Sequence, residues 1–217
     1  MVPVVCIVGR SDTGKTTLME KLVSELKGRG YRVASIKHTG ENIDFDKPNK
    51  DSWRLAMAGS DLVLLSTPER VITNRLIGKE ASLDEVMYFV GGDFDVVLVE
   101  GFHKNEAPKI EVHRKENGKE LLSSRKGLMA VVTDEELETN VPQFSSDDAM
   151  GVADLIVRKL LASRDGHDMG LFVDGLLVRT GSFVSDIFSK TLAGMVSSLK
   201  GAGKAVNIDI WIREKRE

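Results

Sequence analysis

Four residues near the start of the chain set the chemistry to look for. Gly9, Gly14, Lys15 and Thr16, within GRSDTGKTTL, satisfy G-x-x-x-x-G-K-[ST], a spacing that holds the phosphates of a nucleotide. Glycines let the backbone N–H groups of residues 12–16 converge on an anion, and the following helix adds the positive end of its dipole. Asp12, Thr13, Gly14, Lys15, Thr16 and Thr17 are therefore the expected phosphate-loop contacts. Lys15 is placed to reach the β and γ phosphates, and the Thr16 hydroxyl to serve Mg²⁺.

A nucleotide with Mg²⁺ also needs a carboxylate at the end of a neighbouring strand. The run FDVVLVEG, residues 94–101, offers Asp95 at one end and Glu100 at the other. Strand C-termini line the ligand crevice of such sheets, so Glu100 is the expected catalytic carboxylate and, with Thr16, the expected metal-side residue. Asp95 falls at the far edge. Asp12 stands against the trend, because a carboxylate beside a triphosphate is repelled unless it turns outward or meets a cation. Translational GTPases, with G-H-V-D-H-G-K-T, tolerate an Asp at the same place in the loop.

The surrounding segments supply the scaffold such a loop needs. Residues 3–8 (PVVCIV) read as a strand buried on both faces, and Leu18, Leu22, Val23 and Leu26 then recur at helical spacing until Gly28 and Gly30. Further strands are expected at 32–37, 61–66, 94–99 and 128–133, with an edge strand at 71–73. Helices are expected at 53–57, behind the capping box Ser82-Leu83-Asp84-Glu85, and around Val152, Leu155, Ile156 and Leu160. Alternating strands and helices predict an α/β fold, a mostly parallel sheet with helices on both faces, over a nucleotide-binding domain at 1–163.

After a polar stretch the rhythm changes. Two apolar triplets flank Asp174-Gly175, a type I′ hairpin signal; a stripe from Phe183 to Leu199 reads as a helix, and residues 206–212 alternate like a half-buried strand. Residues 168–217 are thus expected to form a small ββαβ module. It holds no cluster of acids, histidines or thiols suited to catalysis, and it should dock on the first domain or on a partner subunit.

Composition narrows the function. The chain has 217 residues, 41% of them hydrophobic, with a net charge of -3, and its Lys and Arg are scattered rather than gathered into a nucleic-acid footprint. One cysteine and four histidines give neither a disulfide framework nor a metal-delivery motif. With no signal-like segment and no apolar run near about 18 residues, the expectation is a cytoplasmic protein that does not enter a membrane.

Several segments together are more specific than the loop alone. GRSDTGKTTL, IKHTG, DFDKPNKDSWRLAMAGSD and VVLVEGFHKNEAPKIEVHR resemble, in order and spacing, the molybdopterin-guanine dinucleotide biosynthesis protein B family. The resemblance implies GTP and Mg²⁺ as ligands, slow GTP hydrolysis, and a supporting role beside a molybdopterin guanylyltransferase. Molybdopterin or its molybdenum form is the further partner it implies, and a second copy of the chain is a candidate. Carried over by position, it lines the cleft with Lys37, His38, Asp46, Lys50, Asp51 and Ser52, with Asp46 and Asp51 as further catalytic carboxylates. The chain departs from the family pattern at Asp12, Gly40, Asn49 and His103. A competing reading is a small-molecule kinase or ATP-dependent ligase on the same fold. The segment VVTDEE, residues 131–136, echoes the guanine-binding [NT]-K-x-D pattern, with Asp134 as the base acceptor, but lacks its Lys.

Overall fold

The apolar, β-branched run Val4–Val8 forms β1, the strand on which the sheet is built. The computed structural model describes residues 2–43, 46–118, 120–122, 126–162, 169–202, 207–210 and 212. α1 (Lys15–Gly28) follows and ends where Gly30 turns into left-handed backbone at φ 89°. Next come β2 (Val33–Lys37), α2 (Asp51–Met57), β3 (Leu62–Ser66), β4 (Val71–Arg75), α3 (Leu83–Val90) and β5 (Val96–Glu100). β6 (Lys109–Val112), β7 (Leu128–Val132), β8 (Gln143–Phe144) and α4 (Ala149–Ile156) complete the main body, and the tail adds β9 (Leu171–Val173), β10 (Leu176–Val178) and α5 (Ser182–Ser197).

Six strands make one sheet in the order β2-β5-β1-β6-β7-β8, with every neighbouring pair parallel. A parallel sheet must be covered on both faces, and the period-2 alternation of its strands sorts the core accordingly. Val5, Ile7, Leu98, Ile110, Val112 and Val132 pack with Leu18, Leu22 and Leu26 of α1 and with Val152 and Ile156 of α4. Cys6, Val8, Val97 and Val99 face the other way, onto Leu83 and Met87 of α3. The expected α/β architecture is the one that forms. Ser82 starts α3 through a capping box: its hydroxyl accepts from the Glu85 N–H at 3.2 Å, and the Glu85 carboxylate accepts from the Ser82 N–H at 2.7 Å.

Two strands depart from the sequence expectation. Residues 61–66 read as a buried strand, yet β3 pairs antiparallel with β4 in a separate two-stranded sheet, where Leu62, Leu64, Leu65, Val71 and Ile72 are exposed. A short apolar run carries no information about what will cover it. β6 is the converse, because its charges disguise a central strand. Lys109, Glu111 and His113 alternate with Ile110 and Val112, and all are buried. These three polar side chains are satisfied internally: Lys109 donates to the carbonyls of Asn105 and Ala107, Glu111 accepts from the Leu122 N–H at 2.6 Å, and His113 Nε2 lies 3.0 Å from Glu135.

In the tail, Asp174 and Gly175 both have positive φ, 52° and 80°, as the type I′ turn between β9 and β10 requires. This hairpin leans on α3, with the Phe172 ring 5.2 Å from Tyr88 and Arg179 3.9 Å from Asp84. α5 has no buried residue, and Phe183, Ile187, Phe188, Met195 and Leu199 on it and just beyond it are exposed. The strand expected over 206–212 is not formed at residues 207–210 or 212. Val206 and Trp211 lie outside the described residues, as do residues 163–168, where the expected domain boundary falls.

Candidate phosphate-binding site

β1 delivers the chain to the C-terminal edge of the sheet, and the turn that follows is fixed by two glycines. Gly9 has φ 145°, and a Cβ on it would run into the Val112 carbonyl oxygen. Gly14 is the N-cap of α1 at φ 91° and contributes no side-chain cap, and the first turn holds no acidic residue. The first N–H groups of the helix are thus left for an external acceptor, and the helix dipole favours an anion there. Thr13 is buried with its hydroxyl donating to the Arg10 carbonyl at 3.0 Å, while Asp12 is exposed at φ 60°, so the carboxylate is on an outward-turned residue. Lys15 Nζ donates to the same Arg10 carbonyl at 2.6 Å, and Asn117 braces the loop by donating to the Ser11 carbonyl at 2.8 Å.

On the β5 side the loop meets Glu100. Thr16 Oγ1 donates to Glu100 Oε2 at 2.8 Å, and Lys37 Nζ lies 3.6 Å from Glu100 Oε1. Register places the carboxylate there: Glu100 is opposite Ile7 on one side and Lys37 on the other. The chain beyond is pinned too, since Gly101 N–H donates to the Ile7 carbonyl and His38 N–H to the Glu100 carbonyl. The His38 ring stacks on Phe102 with centroids 4.0 Å apart, and its Nε2 is 3.1 Å from Glu80. Thr16, Lys37, His38 and Glu100 are therefore one cluster. Asp95, at the opposite end of β5, accepts from the Arg32 N–H at 2.6 Å and ties down the start of β2.

Asp46, Lys50 and Asp51 stand apart from it. Asp51 begins α2, almost fully exposed, 3.7 Å from Arg54 of its own helix. Among the described residues no hydrogen bond or ion pair joins Asp46, Lys50 or Asp51 to the loop or to Glu100. Asn49 has φ 69°, a left-handed conformation that glycine or asparagine adopts most readily, which accounts for Asn where the related pattern has Gly.

On the β6 side the structure joins Gly14 and Thr17 of the loop to Lys21, Arg114, Ser146 and Asp147, which sequence reasoning passed over. A cavity of about 230 Å³ is bordered by Gly14, Thr17, Lys21, Arg114, Ser146 and Asp147. Lys21 donates to Asp147 at 2.9 Å, and this ammonium holds the Asp147 carboxyl below the usual range, with the Arg114 charge adding to the effect. The sequence signal was the Arg that closes PKIEVHR, two residues past the end of β6.

A parallel sheet whose first strand runs through a glycine-bounded loop into a helix, with Lys15 and Thr16 at its start and a carboxylate on the adjacent strand, defines a phosphate-loop nucleotide-binding fold. Comparison with known proteins narrows the class. The family model for molybdopterin guanine dinucleotide synthesis protein B, MobB, matches residues 4–134, and the chain belongs to this family. It is 40% identical over 156 residues to a molybdopterin-guanine dinucleotide biosynthesis adapter protein of Haemophilus influenzae, covering 71% of this chain and 88% of that one. A putative adapter protein of the same description from Methanocaldococcus jannaschii is 26% identical and spans 96% of this chain and 97% of its own. A solved structure of molybdopterin-guanine biosynthesis protein B superposes with a TM-score of 0.56 at 28% identity, over 71% of this chain and 97% of that one. No helix among the described residues is long and apolar enough to cross a membrane.

Proposed function

We propose that this protein is a GTP-binding adapter that hydrolyses GTP slowly and supports the formation of molybdopterin guanine dinucleotide beside a molybdopterin guanylyltransferase, in the cytoplasm. The observation that carries the nucleotide part is the 2.8 Å hydrogen bond between Thr16 and Glu100, because it joins the loop to a carboxylate that the parallel register sets opposite the end of β1. The donor set suits Mg²⁺, a hard cation that takes a hydroxyl and one or two carboxylates and draws its remaining ligands from water and phosphate. When bound, Mg²⁺ would neutralise charge on the β and γ phosphates.

The residues themselves have separable roles. Loop N–H groups and the α1 terminus bind the phosphates, Lys15 leaves the Arg10 carbonyl to reach the β and γ oxygens, and Glu100 orients the attacking water. Lys37 and His38 line the cleft on the β2 side, where the pterin partner would approach, and Asp46, Lys50 and Asp51 enter only if the segment before α2 folds over it. A second copy of the chain would cover the β3–β4 hairpin, whose exposed Leu64, Leu65, Val71 and Ile72 resemble an interface more than a solvent face. The test is competition binding of GTP against ATP, with and without molybdopterin and the guanylyltransferase. A protein that binds neither nucleotide, or whose binding ignores both partners, removes the reading.

A further inference from the structure

The sheet order divides the space above the phosphate loop into two sides. β5 and β2 bring Glu100, Lys37 and His38 to one side, and β6, β7 and β8 border the other. A nucleotide whose terminal phosphates lie toward Glu100 must send its nucleoside toward β6–β8. That side holds the 230 Å³ cavity, where Leu18, Val112 and Val132 provide an apolar floor and Thr17, Lys21, Ser146 and Asp147 a polar border. A few polar groups around an apolar floor is the composition of a small-molecule pocket.

Arg114 occupies the border next to the loop. Its Nη2 is 3.6 Å from the point where a Cβ on Gly14 would stand, so the guanidinium lies against the residue that precedes Lys15. Nη1 is buried and, among the described residues, is the only buried side-chain nitrogen or oxygen with no hydrogen-bond partner. Leaving such a donor without an acceptor is costly, which makes it a group that gains from a ligand. It also sits where the neighbouring segment is deficient: residues 131–136 have no cation, and Asp134 accepts from the Lys115 N–H at 3.3 Å.

We propose that Arg114 is the nucleoside anchor of the site, its free Nη1–H donating to an oxygen or nitrogen of the ribose or purine of a nucleoside triphosphate seated in this cavity. The proposal rests on the reading that the loop binds a nucleotide. It adds a specific contact from the segment just past β6 that the phosphate-loop motif does not contain.

Tripolyphosphate separates the two claims, since it presents phosphates without a nucleoside. Affinity for GTP and for tripolyphosphate would be measured in the full-length chain and in Arg114→Ala and Arg114→Met, the latter keeping the apolar stem in case loss of the side chain loosens the fold, with circular dichroism as the check. Losing a charged hydrogen bond should weaken GTP about tenfold to a hundredfold in both variants and leave tripolyphosphate unchanged. An equal loss for both ligands in folded Arg114→Met would make Arg114 a support of the loop and overturn the assignment, as would no loss of GTP affinity. A parent protein that binds tripolyphosphate but no purine nucleotide overturns it as well while sparing the phosphate loop. One that binds neither ligand removes the underlying reading.

Discussion

Thr16 and Glu100, 84 residues apart in sequence, meet through a hydrogen bond of 2.8 Å in which the threonine hydroxyl donates to the carboxylate. The loop and the end of β5 are thereby a single unit. Because the carboxylate is held by Thr16 and by Lys37, it is positioned before any ligand arrives. Glu100→Gln keeps the shape and removes the charge. It should slow GTP hydrolysis far more than it weakens GTP binding, because what is lost is help given to the attacking water. Single-turnover hydrolysis and a GTP titration check this, and parent-like turnover would move the role to Asp46 or Asp51.

Lys15 spends one proton on the Arg10 carbonyl at 2.6 Å, a contact within its own loop. Replacing it with Ala removes little from the fold and a charged donor from the ligand. Since hydrogen bonds to charged groups contribute about 1.5–3 kcal/mol, nucleotide affinity should fall by at least roughly tenfold with circular dichroism unchanged. A folded Lys15→Ala that binds GTP like the parent would sink the phosphate-loop assignment.

How much of this could be read beforehand depended on what covers each residue. β1, the loop and α1 were legible, because an apolar β-branched run, two glycines and a 3.6-residue period each have one structural solution there. The pairing of Glu100 with Thr16 followed from knowing which end of a parallel strand lines the crevice. β6 was hidden because Lys109, Glu111 and His113 look solvated until their buried partners are known. β3 misled for the opposite reason: Leu64 and Leu65 look buried, and nothing local says that they face outward. Arg114 escaped because an unpaired guanidinium atom is a property of the packing around it, not of the motif.

Gly9 offers a test of the loop's backbone rather than its side chains. A Cβ there meets the Val112 carbonyl oxygen and sits on a φ of 145° that other residues rarely adopt. Val112 is held in the sheet between β1 and β7, so neither side yields cheaply. Gly9→Ala should therefore lose about 1–3 kcal/mol from backbone strain alone, with the clash adding to it. Denaturant unfolding measures the difference, and a variant as stable as the parent would mean that the turn can relax.

The capping box of α3 gives a pH signature. Hydrogen bonds from the Ser82 backbone and hydroxyl, with Lys79 nearby, hold the Glu85 carboxyl below the ordinary range. A depressed carboxyl pKa stabilises the fold above the unfolded value of about 4.3, and that contribution is lost as pH falls through the folded value. Ser82→Ala should lower Tm by about 2–4 °C at neutral pH. The gap between parent and Ser82→Ala should narrow as pH falls below the unfolded value of about 4.3 and on through the depressed folded value, where Glu85 is protonated in both. A gap that stays constant from neutral to acid pH would show that the carboxylate takes no part in the cap.

The tail can be removed to ask whether it belongs to the site. Among the described residues its ties to the main body include Phe172 against Tyr88, Arg179 near Asp84 and acting on the Glu106 carboxyl before β6, and Asn207 donating to Asp93 at 2.6 Å. α3 covers the sheet face opposite α1, and none of these ties touches the loop, Glu100 or the Arg114 cavity. α5 meanwhile exposes Phe183, Ile187, Phe188 and Met195, a surface that behaves as an interface or as an aggregation liability. Deletion of residues 165–217 should thus keep GTP affinity within about tenfold, or ~1.4 kcal/mol, while changing oligomer size or solubility. Light scattering and a GTP titration on the shortened chain read both halves. A shortened protein of unchanged mass and solubility that no longer binds nucleotide would show that the tail completes the site.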